Sequence, residues 1–567
     1  MDIIKKGPAD YEKILGSGVQ FTDPDFKANQ DSIYWSDYPR PSSASLAPKT
    51  PYLQWYRPNQ KYVSYPLFNQ WVGEYDITQG SVGDCFWLSP AQSMAQDPTR
   101  IKGLFINQDY PKEGLLALKF FVKGKPEIIT IDDLLPFYNG SPFFTKRADD
   151  GDFWMPFIEK AFAKLNGNYE AIGGGWQSES FRILNGAPSK FFMNANVDRY
   201  SAWSIISDAL SKGNLVGVDT SSNYNSYYGL ATGHAHTVIG QYLLKDIFGN
   251  VQYKLYRIRN PWGSDSYTGP WSDSDSRWTT YYKSQLPYAN DNDGYFYISD
   301  DDFVKAFFYF TVNYFKKGWK TSFYERLDDD GSQQSYTFTT TVAQEIYIGA
   351  DFYDARMYAT GCRNGQTTNG LLQLLKGTTV LDQVTFSDQL GYGFLYQPSL
   401  AAGNYTIRFK PTWSAYDEKD YTVSVYSANQ VMIFDAQGKT SNTTYNLMTT
   451  LSQVMSNLTP YPYENGGWYF VRKGYVGSTN NDTYFFQFGG QTNLYNLNAT
   501  VSFTSYSSTI YTPNSGTVQK VKNSDGTITY THLCQVLPKQ AINDCEYILD
   551  VNNGVKWAWN LVSWNYA

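Results

Sequence analysis

Gln79-Gly80-Ser81-Val82-Gly83-Asp84-Cys85-Phe86-Trp87-Leu88 is the stretch whose reading decides this chain. Two glycines and an aspartate make a tight turn, and an apolar, helix-compatible run opens at Cys85. A thiol at a helix N-terminus has its thiolate favoured by the dipole and by the unpaired N–H groups, which activates a cysteine nucleophile. A buried, inert cysteine is the other reading. A nucleophilic cysteine needs a base, and the chain holds 3 His. Two of them lie in Gly233-His234-Ala235-His236-Thr237-Val238-Ile239-Gly240, which begins an apolar strand pattern. A second strand, Tyr253–Arg259, ends at Asn260. A hairpin centred near Ile247 sets residue 234 opposite residue 260, where side chains on one face stand about 4.5–5.5 Å apart at Cβ. His234 and Asn260 would then touch, giving a Cys-His-Asn constellation in which the amide fixes the imidazole. His236 has the same parity, so only the centring favours His234. Either histidine also reads as a core or strand-edge residue.

Outward from this motif, the chain has 567 residues, 42% hydrophobic and 17% charged, enough to bury several cores. Aromatics reach 18%, and 46 Lys plus Arg face 53 Asp plus Glu. The resulting net charge of −7 argues against a protein built mainly to grip nucleic acid or an anionic membrane. With 4 Cys there is no disulfide scaffold, and Cys362, Cys534 and Cys545 read as reduced structural thiols. The opening MDIIKKGPAD lacks a signal-peptide core, and the apolar run GLLALKFFV is broken by Lys119. These features lead us to expect a cytoplasmic protein.

Residues 1–60, punctuated by proline, read as an irregular arm. Helical and strand patterns then mix up to about 318. Phe157, Ile158, Ala161, Phe162 and Leu165 share one helical face, a second helix spans 202–212 and closes at Gly213, and Leu215–Val218 follows as a strand. Beyond 320 alternating runs such as Ser335–Val342, Glu345–Gly349, Tyr405–Lys410 and Tyr421–Tyr426 predict a β-sandwich. Similar runs after 430 predict a second one, over 431–567.

Eight ordered blocks carry a resemblance: FTDPDF (21–26), WYRP (55–58), QGSVGDCFWL (79–88), IDDLLP (131–136), DFWMPFIEKAFAKLNGNYEAIGGG (152–175), GHAHTVIG (233–240), RIRNPWGSDSYTGPWSD (257–273) and DGYFYISDDDF (293–303). With them the first 315 residues resemble the calpain family of calcium-dependent cysteine proteases. The resemblance implies an α+β, papain-like core in two subdomains, 61–172 carrying the nucleophile and 173–318 carrying His and Asn, with Gly173-Gly174-Gly175 as hinge. It implies Cys85 as nucleophile, Gln79 as oxyanion-hole donor, His234 as base, Asn260 as its orienting partner and Trp262 packed beside them. It implies a C2-like sandwich over 319–430, with phospholipid contact and protein substrates among the expected partners. No complete EF-hand occurs, since Asp328-Asp329-Asp330-Gly331 lacks the spacing and the terminal Glu. A small regulatory subunit is therefore not expected.

The resemblance also implies Ca²⁺ in each half, held by Asp76 and Asp152 in the first and by Asp273 and Asp293 in the second. Ser266 and Tyr295 stand where the family has Glu, so the second site is expected to bind more weakly. Three other departures stand out. Phe86-Trp87 reverses the usual order, Pro90 lies inside the expected helix and threatens a kink, and His236 replaces an aromatic. A transglutaminase-type acyl transferase would use Asp where Asn260 stands, and a non-catalytic scaffold would have lost a catalytic residue.

Overall fold

The computed structural model describes residues 6–8, 11–35, 46–222, 226–358, 368–387, 391–414 and 418–441. Beyond 460 it describes chiefly the backbone of strands between 461 and 566. Cys362 and the side chains of Cys534 and Cys545 lie outside the described residues. The chain divides into two compact units, Met1–Gln437 and Gly438–Ala567.

In the first unit the Cys85 stretch becomes helix α1 (Cys85–Ala95), which runs through Pro90 as one element with all but its first residue buried. Strands β1 (Leu115–Val122) and β2 (Lys125–Asp132) pair as an antiparallel hairpin. Helix α2 (Trp154–Asn166) covers the predicted helix and starts three residues earlier than Phe157. Trp87 of α1 stacks on Phe162 of α2 with ring centroids 3.7 Å apart, so the reversed Phe-Trp order still seats a large ring in the core.

The amphipathic pattern of α2 misses one thing: every residue of the helix is buried, its charged ones included. Lys164 Nζ reaches Asp23 of the N-terminal arm at 2.7 Å and donates to Thr130 O at 2.7 Å, while Lys160 pairs with Asp132. Removing one partner of a dry ion pair strands the other charge. Lys164→Met is therefore expected to lower unfolding free energy by about 3–5 kcal/mol. Denaturant titration checks this, and a loss below about 1 kcal/mol would contradict it.

Helix α3 (Gln177–Asn185) leads into strand β3 (Ser189–Met193), helix α4 (Arg199–Ser211) and strand β4 (Leu215–Asp219). Strands β5 (Ala235–Lys245), β6 (Val251–Arg259), β7 (Tyr295–Ser299) and β8 (Tyr309–Asn313) complete a six-stranded sheet in the order β7-β6-β5-β4-β8-β3. Helix α1 packs against β4, β5 and α3, which seats the Cys85 segment on this sheet.

The hairpin of β5 and β6 is not centred on Ile247. Asp246 Oδ1 accepts from the N–H groups of Phe248 and Asn250, each at 2.9 Å, and this turn sets Lys245 opposite Val251. One bulge on each strand cancels the other, leaving Thr237 opposite Arg259. Extended one step, that register sets residue 236, not 234, opposite residue 260. The register read from spacing is therefore out by two.

The remainder of the first unit is a sandwich: β9 (Lys320–Arg326), β10 (Gln334–Thr340), β11 (Gln344–Asp351), β12 (Asn369–Lys376), β13 (Thr379–Ser387), β14 (Tyr392–Leu400), β15 (Gly403–Thr412) and β16 (Tyr421–Ser427). They form two four-stranded antiparallel sheets, β9-β16-β11-β14 and β10-β15-β12-β13. Val431 and Ile433 join its core, and Thr337 exchanges backbone hydrogen bonds with Phe434. The sandwich thus runs past residue 430 to the end of the unit. The second unit places its described strands in antiparallel sheets of five and four. No helix among the described residues is long and apolar enough to cross a membrane.

Candidate active site

Asp84 caps α1, its carbonyl accepting from Trp87 N at 2.7 Å, so Cys85 is the first helical residue. The thiol lies against the backbone N–H of Ala235, the residue after His234. Burial pushes the thiol up to about 12, and the nearby carboxyls of Asp219 and Asp84 push the same way against the Ala235 N–H. The proline leaves the first turn, where Cys85 sits, helical.

His234 Nε2 lies 2.8 Å from Asn260 Oδ1. An amide oxygen only accepts, so Nε2 carries the proton and Nδ1 keeps the lone pair. The two side chains meet diagonally across the strand ends, within reach although not directly opposed. The Trp262 ring lies tilted by 30° against the imidazole with centroids 4.3 Å apart, and its backbone N–H donates to the same Asn260 oxygen at 3.0 Å. Burial brings His234 down to about 4, opposed by the Asn260 bond. Thiol and imidazole are therefore both uncharged at neutral pH, and among the described residues no hydrogen bond joins them.

Gln79, the expected oxyanion donor, has its amide committed elsewhere. Nε2 donates to Val82 O at 2.8 Å and to Asp84 Oδ1 at 3.3 Å. Its backbone N–H donates to Pro261 O at 2.8 Å, tying the loop before Cys85 to the segment after Asn260. Tyr295 makes a second tie, its hydroxyl donating to Glu74 Oε1 at 2.9 Å. His236 is fully buried between Phe296 and Phe307, its ring nitrogens without a well-formed hydrogen bond, and burial holds it neutral.

The profile of the calpain family cysteine proteases matches residues 21–313. The chain belongs to the calpain family. It is 31% identical to Calpain-B of Drosophila melanogaster over 310 residues, which is 52% of this chain and 32% of that protein. It is 32% identical to the Calpain-1 catalytic subunit of Homo sapiens over 318 residues, 53% of this chain and 43% of the relative. Calpain clp-1 of Caenorhabditis elegans is 29% identical over 369 residues, covering 62% of this chain and 44% of its own length. The chain thus spans a third to just under half of these relatives.

The calpain-family core also contains residues that the motifs did not single out. Asp219 ends β4, pairs in register with Ala235 and Tyr309, and accepts from Gln177 Nε2 at 2.6 Å. Burial raises it to about 8. Its one sequence signal is a carboxylate closing an apolar strand. Asp84 and Glu159 lie close together in the core, and burial raises both, with the Glu159 charge adding to the rise at Asp84.

At the expected calcium positions, Asp76 and Asp152 are buried together near Asp150. Asp76 accepts from Gly73 N at 2.9 Å, whereas Asp152 Oδ2 has no hydrogen-bond partner. Burial lifts Asp76 to about 6 and Asp152 to about 8, the latter helped by its acidic neighbours. A buried, unpartnered carboxylate oxygen among like charges fits a cation.

In the second half Asp273 and Asp265 line a cavity of about 320 Å³ with Asp291. Asp293 acts on both, and burial raises Asp273 to about 7. Asp265 and Asp291 restore the charge missing at Ser266 and Tyr295, which removes the charge-count reason for a weaker second site. Even so, among the described residues no three acidic, His or Cys side chains converge as a ready ligand set.

Proposed function

We propose that the chain is a cysteine endopeptidase of the cytoplasm that acts on protein substrates and is activated by calcium. The observation that carries this reading is the Asn260-held imidazole one residue from the N–H that abuts the Cys85 thiol. Cys85 Sγ attacks the scissile carbonyl carbon and its proton passes to His234 Nδ1. That proton goes to the leaving amine as the C–N bond breaks, giving a thioacyl enzyme. Water, deprotonated by the same nitrogen, then releases the acid and restores the thiol. Asn260 holds the ring in the productive tautomer, and Trp262 covers the pair from water. Gln79 can serve the oxyanion only after releasing Val82 O or Asp84, so the described state is a resting one.

Calcium would be held by Asp76 and Asp152 in one half and, once their side chains close on it, by Asp273 and Asp293 with Asp265 and Asp291 in the other. A bound cation would neutralise these carboxylates and favour whichever conformer holds it best. Digestion of casein with and without calcium tests the reading. Calcium-dependent peptide fragments are expected, whereas crosslinked casein or intact casein would refute it.

The carboxylates give a further expectation. Asp152 titrates near 8 when folded against about 3.9 when unfolded, so the folded state holds its proton more tightly. Without calcium, stability should therefore fall as pH rises from about 4 to about 8. Asp152→Asn removes that penalty. The variant should melt several degrees higher than the parent in chelator at pH 8 and lose most of the gain in melting temperature on adding calcium. A parent-like calcium gain would remove Asp152 from the ligand set.

A further inference from the structure

We infer that Arg356, from the first sandwich, is a positioning residue for the active-site helix, an inference that rests on the endopeptidase reading. The guanidinium leaves the sandwich just after β11 and enters the junction between the two halves of the core. Its Nε and Nη2 pair with Glu179 of α3, Nη2 reaching Oε2 at 3.0 Å. Nη1 donates to Ala171 O at 3.0 Å and Nη2 to Gly174 O at 2.9 Å. Its flat face lies 4.8 Å from the ring centre of Phe86, the neighbour of Cys85. Gly175 stays a glycine because any Cβ there would strike both Arg356 and Phe86. Gly174, at φ +72°, donates its N–H to Gly83 O at 2.9 Å and so links the hinge to the turn before the nucleophile.

Charge and donor count are matched. Arg356 satisfies a buried glutamate and the carbonyl of buried Ala171, and holds the exposed hinge carbonyl of Gly174. A bidentate, planar cation is the side chain suited to this, and an ammonium could not make all the bonds at once. A second contact of reversed sign lies further along the same helix, where Arg182 of α3 pairs with Asp351 of β11 and stacks on Tyr392 at 4.3 Å. Helix α3 is thus gripped by the sandwich through two ion pairs of opposite polarity, which fixes its position along its axis. Its first residue, Gln177, donates to Asp219 and to Val218 O at 3.0 Å, on the strand paired with Ala235. From Arg356, one route runs through Phe86 and Gly174 to Cys85, and another through α3 to the strand that leads out of His234.

The full chain is compared with Arg356→Ala, Arg356→Lys and, as a control, Glu325→Gln. Glu325 joins sandwich to core through Lys125 at 2.6 Å and Lys123 at 2.9 Å. Cleavage of a casein-derived peptide in calcium gives kcat and KM. Alkylation of Cys85 by iodoacetamide at pH 8, corrected with a Cys85→Ser background, gives a readout that needs no turnover. For Arg356→Ala, kcat should fall about ten- to hundredfold with KM within about threefold, the scale of a misplaced nucleophile. Its resting thiol, released from packing, should alkylate about tenfold faster, equivalent to a pKa lower by about one unit. Lysine should recover part of both, and Glu325→Gln should match the parent. Parent-like kcat and alkylation in Arg356→Ala, or equal losses in Glu325→Gln, would overturn the inference. If Arg356→Ala does not fold, Arg356→Lys decides on the same two readings. A parent that cleaves nothing defeats the endopeptidase reading, while alkylation still tests Arg356.

Discussion

Cys85→Ser is expected to abolish peptide-bond cleavage, by roughly 10⁴-fold or more, with the melting temperature unchanged within about 2 °C. The thiol occupies the first position of a helix whose remaining residues are buried. Serine keeps the shape and loses the polarizable nucleophile. His234, held near 4, is a weak base, so an alkoxide is much harder to generate beside it than a thiolate. Burial pushes the thiol itself up to about 12, so the native pair also rests uncharged. Peptide cleavage with parallel calorimetry checks this. Substantial residual turnover at an unchanged melting temperature would remove Cys85 from the nucleophile role.

What could be read from the chain was what its local chemistry specifies. The turn-then-apolar sequence from Gln79 to Leu88 needs no distant partner to declare a helix start at Cys85, and the structure begins α1 there. The hairpin failed where a side chain overrode the count. Asp246 captured two backbone N–H groups and moved the turn, and two bulges then preserved the offset. Helix α2 read as amphipathic because Lys160 and Lys164 are charged. They are buried because Asp132 and Asp23 arrive from β2 and from the arm, far away in sequence. In the sandwich, β12 carries a continuous Leu371-Leu372-Gln373-Leu374-Leu375 run that periodicity cannot assign, and edge strand β13 exposes Val380 and Leu381 without alternation. Asp219, Asp265 and Arg356 gain their meaning only from neighbours that the fold supplies.

His234→Ala should match Cys85→Ser in lost turnover, while His236→Phe should keep activity within about threefold and fold normally. Strand register alone would favour the opposite assignment, since extending the Thr237–Arg259 pairing sets residue 236 opposite Asn260. The side chains decide otherwise. Asn260 Oδ1 bonds His234 Nε2, Trp262 covers that ring, and Cys85 abuts the next peptide N–H. His236 faces Phe296 and Phe307 at 5.9 and 5.6 Å, with no solvent and no well-formed hydrogen bond at either nitrogen. Burial and the neighbouring His234 hold it neutral, and its ring nitrogens are sealed among aromatic rings with no partner to exchange a proton with. A phenyl ring there exchanges two unpaired buried nitrogens for carbon, a relief that offsets about 1–3 kcal/mol of overpacking. kcat for each variant, measured with its melting temperature, separates chemistry from stability. If His236→Phe loses turnover at a parent-like melting temperature while His234→Ala retains it, the base is His236, and Asn260 must rotate away from His234 in the working enzyme.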